Sequence, residues 1–204
     1  MDFGYLINLF KDALLKPEKL WSQESAKNFT LQELLKFPVT PTIVMVAAIS
    51  SILILIFGYK VPFAPVAVHS SLSDVIIGFI GTVVMFLVTV TLFGWLSAYS
   101  ASLFGGKNDF IRGVLMIFLV SIPSLIGRAV SPLPYIGTIV SVGLGIYTLI
   151  LLYKAPCFFL DLPEENRTKN FILFLIIAFV VSIVLGVTLG SLFQPTLPTI
   201  STAS

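Results

Sequence analysis

Five stretches of this sequence approach or exceed the length of a bilayer-spanning helix, and their interiors hold no charged side chain. A helix rises about 1.5 Å per residue, so roughly 20 mostly apolar residues cover about 30 Å of hydrocarbon. The stretches are Pro41 to Gly58, Val75 to Ser100, Phe110 to Ile126, Ile136 to Tyr153 and Asn170 to Leu192. In lipid a backbone must satisfy its own hydrogen bonds, so such segments form helices. They are too long and too uniformly apolar for the alternation of a membrane barrel. The expected fold class is therefore all-α, a polytopic membrane helix bundle with about five transmembrane helices. Composition agrees: 57% of the chain is hydrophobic and 11% charged, where a soluble domain is about one quarter charged.

The first forty residues differ in kind. Phe3, Leu6, Ile7, Phe10 and Leu14 recur at helical spacing, and Asp2, Asn8, Lys11 and Asp12 fall mainly on the other side. This pattern predicts an amphipathic helix ending near Pro17. A second short helix should hold Leu20 and Trp21. Thr30 with Glu33 forms a capping-box pattern before Leu34 and Leu35, which predicts a third. The apolar stripe suits helices lying along the membrane surface; the alternative is a small cap packed on the spans. Thr40 and Pro41 read as the cap and first residue of span one. Acidic residues come early and no cleavage site follows, so no secretory signal is expected. The expected division is 1–38 for cytoplasmic or interfacial helices, 39–193 for the spans and 194–204 for a short outer tail.

Basic residues are unevenly shared between successive loops. Lys11, Lys16, Lys19, Lys27 and Lys36 precede span one, Lys107 and Arg112 follow span two, and Lys154, Arg167 and Lys169 follow span four. The alternate loops hold only Lys60 and Arg128. The positive-inside rule then places the N-terminus in the cytoplasm and the C-terminus outside.

Reactive groups are sparse. A net charge of +2 is too small to imply nucleic-acid binding by phosphate neutralisation. Cys157 is the one cysteine, so no internal disulfide or Cys/His metal cluster can form. No catalytic residue, cofactor site or metal site is expected. His69 has Ser70, Ser71, Ser73 and Asp74 near it in sequence, which reads as a solvated loop rather than a triad. The spans lack buried acids and bases, which argues against a pump or coupled transporter. Asp74 and Arg128 lie at span ends on the expected outer side, placed to snorkel into head groups.

Small residues are more informative. Gly137, Ser141 and Gly145 share one face of span four, Ser182, Gly186 and Gly190 one face of span five, and Gly94 and Ala98 one face of span two. Such faces let helices approach closely; packing inside the chain is the expectation, with dimerisation the alternative. Gly105 and Gly106 suit a tight turn between spans two and three. Pro123 predicts a helix kink near the end of span three.

Three motifs occur in order. Leu-Lys-Pro-Glu-Lys-Leu-Trp runs from Leu15 to Trp21, Ala-Ser-Leu-Phe-Gly-Gly-Lys-Asn-Asp-Phe from Ala101 to Phe110, and Ser121-Ile122-Pro123 follows in the next span. Together they resemble the Yip domain family, named for interaction with Ypt/Rab-type GTPases, and most closely its prokaryotic members. The resemblance implies five spans, a cytoplasmic N-terminus, no catalysis and the plasma membrane of a prokaryote. Eukaryotic members are linked to vesicle trafficking and membrane shaping. Their acidic Asp-Leu-Tyr-Gly-Pro motif before the spans is missing here, and Asp161-Leu162-Pro163 echoes it only in part and in another loop. A Rab-like partner is therefore not carried over. The expected function is non-enzymatic binding of membrane lipid or a protein partner at the cytoplasmic face, through the N-terminal helices and the 154–169 loop. The alternative is a passive carrier or channel for a small neutral or apolar solute, using the Pro123 kink. A homo-oligomer is open but not indicated.

Overall fold

A computed structural model describes residues 3–60, 67–68 and 71–188. Its α-helices are α1 (Phe3–Leu15), α2 (Pro17–Ser25), α3 (Leu31–Leu34), α4 (Thr40–Phe57), α5 (Leu72–Ser102), α6 (Phe110–Val130), α7 (Ile136–Phe159) and α8 (Arg167–Thr188). A π-helical turn (Leu35–Val39) joins α3 to α4, and a 3-10 turn (Glu164–Asn166) leads into α8. Between α4 and α5 the backbone makes one short antiparallel pairing, Tyr59 opposite Val68 and Lys60 opposite Ala67. Five helical segments are long and apolar enough to cross a membrane: Leu31–Phe57, Leu72–Ser102, Phe110–Val130, Ile136–Phe159 and Glu164–Thr188. The protein is an integral, multi-pass membrane helix bundle.

The five spans are not equivalent. About two-thirds of the apolar window of α6 is buried, against 6% for α8. Helices α1, α4, α5 and α7 all pack on α6, making it the central strut. Its Val114, Met116, Phe118 and Ile122 are fully enclosed. On α7 and α8 the reverse holds. Ile139, Val142, Ile176, Phe179 and Val180 are exposed, the pattern of helices whose outer faces meet lipid.

Two devices bring α5 close to its neighbours. At Gly94 a Cβ atom would stand 2.5 Å from Val114 Cα, and at Gly113 one would collide with the Gly94 carbonyl. Only bare backbone fits at this crossing. Farther along, the buried Ser100 hydroxyl donates to Asn170 Oδ1 at 2.9 Å and so ties α5 to α8. Phe93 and Phe174 meet edge to face beside it, 6.1 Å between centroids.

The N-terminal helices pack on the spans, contrary to the surface placement expected from the stripe. Tyr5, early in α1, meets Lys27, just beyond α2, with the ammonium 5.0 Å above its ring, so the two helices fold back as a hairpin. The inner stripe of Leu6, Leu9, Ala13, Leu20 and Trp21 is almost completely buried against α6 and α7. Tyr147 donates its hydroxyl to the Leu14 carbonyl at 3.1 Å, satisfying an acceptor that the end of α1 leaves free. The hairpin thus follows α7 from Tyr147 to Phe159, about 18 Å at 1.5 Å per residue. The capping box of Thr30 and Glu33 forms as expected.

Other expectations are corrected. Helix α6 continues through the buried Pro123 to Val130, beyond the expected end at Ile126. The hydroxyls of Ser121 and Ser124 donate to carbonyls of their own helix, at Ile117 and Ser121. The chain leaves helical geometry at Phe37 (φ −160°, ψ 120°), before a cis peptide to Pro38. A residue preceding proline is disfavoured in the α region. Thr40 is not a cap, because the helical turns run on through it and its hydroxyl donates back to the Leu35 carbonyl at 2.6 Å. Helix α7 passes Lys154 and reaches Phe159, and α8 begins at Arg167, so the expected 154–169 loop shrinks to residues 160–166.

Candidate interaction face

The chain enters α4, leaves α5 for α6, and leaves α7 for α8 on one side of the bundle. On this side lie the ion pairs found among the described residues: Lys27–Glu24 at 2.7 Å, Lys107–Asp161 at 2.6 Å, Arg112–Asp109 at 3.5 Å, Lys154–Glu18 at 3.3 Å and Arg167–Glu164 at 2.6 Å. Most are exposed, and each such pair contributes little to stability. Their collective effect is to pattern the surface.

The α5–α6 turn is built on two glycines. Gly105 has φ +88°, the left-handed region that a side chain would strain. Gly106 donates its N–H to the Ala101 carbonyl at 2.9 Å, and a Cβ there would press on the Leu160 carbonyl at 3.0 Å. The turn docks on the α7–α8 connection: Lys107 N–H donates to the Leu160 carbonyl at 2.7 Å, and Asn166 Nδ2 donates to the Phe104 carbonyl at 3.0 Å.

The hairpin adds the third part. Trp21 packs against Phe158 and Phe159, with centroids 6.0 and 5.9 Å apart. Beside it opens a hollow of about 340 Å³ lined by Glu18, Trp21, Lys154, Cys157, Glu164 and Arg167. Arg167 Nε donates to Cys157 Sγ at 3.2 Å. Two motifs far apart in sequence, around Trp21 and around Gly105, thus both pack on the end of α7. The hollow has an aromatic wall and a rim of both charge signs, chemistry suited to holding a mixed apolar and polar partner. Behind it, Glu24 is buried. Burial and then the negative charge of Glu24 push the Tyr5 phenol well above its usual range.

The outer side of α1 is free of the bundle. Ile7 and Leu15 are 66% and 68% exposed, in line with exposed Lys11 and Lys16.

The small residues singled out by spacing divide. Ser141 donates to the Gly127 carbonyl of α6 at 2.7 Å, a true interhelical contact. A Cβ at Gly137 would strike the carbonyls of Val130 and Ser131, where the chain turns into α7. Gly145 and Gly186 do not pack inside the chain: an added Cβ would meet nothing within 4 Å. Ser182 is exposed and bonds only back along its own helix, to Ala178. Gly145 lies one turn past the Ser141 contact, in open space, and on α8 Ser182 and Gly186 are exposed. Gly190 and His69 lie outside the described residues. Gly113 escaped the sequence reading; its four-residue offset from Ile117 gave no small-residue pair, and only the facing Gly94 explains it.

No curated protein and no solved structure matches the chain. The family model for the Yip1 domain matches residues 11–186, from the middle of α1 to the last turn of α8, and the chain belongs to the Yip1 domain family.

Proposed function

We propose that this protein is a non-enzymatic membrane component that works by binding a protein partner or lipid at the face formed by the hairpin, the α5–α6 turn and the α7–α8 connection. The proposal includes the orientation: this face is cytoplasmic, the membrane is the plasma membrane of a prokaryote, and the role is membrane organisation. One observation supports it above others. The inner stripe of α1 is used up on the bundle, yet Ile7 and Leu15 stay exposed beside Lys11 and Lys16. Two exposed apolar side chains set among cations on a short helix favour contact with something outside the chain. The neighbouring hollow, with Trp21 in its wall, offers a site for an aromatic or aliphatic anchor.

Removing residues 1–36 would strip the cover from α6, so substitution of the outer face is the sharper test. The doubly substituted chain Ile7→Gln, Leu15→Gln keeps every buried contact of the hairpin. Full-length protein from gently solubilised membrane should enrich a partner or a lipid class that the double variant loses. Equal recovery with both chains would refute this reading.

A further inference from the structure

On the opposite side of the bundle, α4, α5 and the end of α6 enclose a cleft of about 270 Å³. Ser50, Ser51, Asp74, Gly78, Thr82 and Arg128 line it. Arg128 is in the last turn of α6 and Asp74 in the first turn of α5, so both stand near head-group depth. They carry opposite charges and share the cleft, yet they form no ion pair: none of the ion pairs among the described residues includes either one. Arg128 Nη2 donates to Thr82 Oγ1 at a long 3.3 Å, its one side-chain bond among the described residues. Asp74 accepts from Ser71 N and Oγ, both through Oδ2, and among the described residues no donor reaches Oδ1.

An exposed guanidinium whose one described side-chain bond is a long one to a neutral hydroxyl is poised for an anion, and phosphate suits its fork of donors. A carboxylate oxygen in the same cleft is poised for a cation. We propose that the cleft holds the head group of a zwitterionic phospholipid bearing a primary ammonium, with the phosphate on Arg128 and the ammonium on Asp74. The primary amine follows from the walls. An ammonium N–H can donate to Asp74, whereas a trimethylammonium cannot, and among the described residues no aromatic ring lines this cleft to receive one by cation–π contact. The surroundings fit a lipid rather than a free solute. Ile52, Leu55 and Ile56 on α4 and Ile76, Ile77 and Ile80 on α5, the two helices that wall the cleft, are exposed apolar side chains. The cleft also continues along α5 into a hollow of about 430 Å³, reaching Met85, Phe86 and Thr89, with room for the first part of an acyl chain.

Gly78 supplies a clean probe, because an added Cβ would meet nothing within 4 Å. Gly78→Leu should therefore fill the cleft without disturbing the helices. The experiment is native mass spectrometry of the full-length protein with phosphatidylethanolamine, phosphatidylcholine and phosphatidylglycerol of matched acyl chains, with and without inorganic phosphate. Phosphatidylethanolamine should be retained about tenfold over phosphatidylcholine, the scale of one charge-assisted bond. Gly78→Leu and Arg128→Gln should each cut phosphatidylethanolamine retention about tenfold while the unfolding temperature of Gly78→Leu stays at that of the parent. Asp74→Asn should lower phosphatidylethanolamine to the level of phosphatidylcholine. Equal retention of the three lipids, a preference for phosphatidylglycerol in the parent, or full displacement by millimolar phosphate would overturn the assignment. So would undiminished phosphatidylethanolamine retention in both Gly78→Leu and Arg128→Gln, or an undiminished preference over phosphatidylcholine in Asp74→Asn.

Discussion

Gly94 and Gly145 both sit in spans, in apolar surroundings, and they face opposite constraints. At Gly94 the backbone of α6 lies where a methyl group would go; at Gly145 there is open space. Gly94→Ala should lower the unfolding free energy of the detergent-solubilised protein by about 1–3 kcal/mol, the usual cost of overpacking. Gly145→Ala should not lower it, and the gain in helix propensity should raise it by about 0.5–1 kcal/mol. Thermal or denaturant titration of the two variants side by side checks both. Four-residue spacing identified these faces in the sequence but not what stands opposite, because periodicity fixes direction and not neighbour. Tyr5 supplies a pH dependence. Its folded phenol binds its proton more tightly than the unfolded value of 10.0 allows. Between that value and the higher folded one, the unfolded chain holds fewer protons, so stability falls as pH rises. The contribution is complete below pH 10 and lost progressively above it. Alkaline titration of Trp21 fluorescence in a Trp95→Phe background should show the loss, and Tyr5→Phe should remove it.

At the scale of elements, the α1–α2 hairpin shows where sequence reading stops. The stripe of Leu6, Phe10 and Leu14 was legible, and so was the capping box at Thr30. The partner of the stripe was not. Lipid and the side of α6 are equally apolar solvents for Leu6 and Leu9, so amphipathicity alone cannot separate them. The tie that decides, Tyr147 to the Leu14 carbonyl, spans 133 residues and leaves no local trace. The same limit explains α7. Lys154 looked like a terminus, but its amine reaches Glu18 at 3.3 Å, and the helix runs on to place Phe159 against Trp21. Trp21→Ala should therefore destabilise the hairpin by about 3–5 kcal/mol, the range for losing a large buried aromatic. Hydrogen exchange should then speed up across residues 3–25 while α6 stays largely protected.

At the scale of the whole molecule, five spans were readable from length and hydrophobicity, and the structure has five segments of that kind. Which span lies at the centre was not readable, since α6 is no more apolar than the rest and owes its burial to what surrounds it. The proposed orientation follows from the ten basic residues on the hairpin side against two on the other. A reporter fused after Ser204 should be active only outside the cell, and one before Met1 only in the cytoplasm. The reverse pattern would overturn the orientation and, with it, the cytoplasmic assignment of the binding face.

The enclosure of α6 has a further consequence for biosynthesis. A ribosome makes the hairpin before the helix it covers, and more than eighty residues separate the end of α2 from the start of α6. During that interval Leu6, Leu9 and Trp21 have no protein to shelter them. The bilayer surface is the available refuge, and the stripe is well made for it. The nascent hairpin would rest there and transfer to α6 once the third span has entered the membrane. The surface helix legible in the sequence then describes an early stage in the life of the same segment.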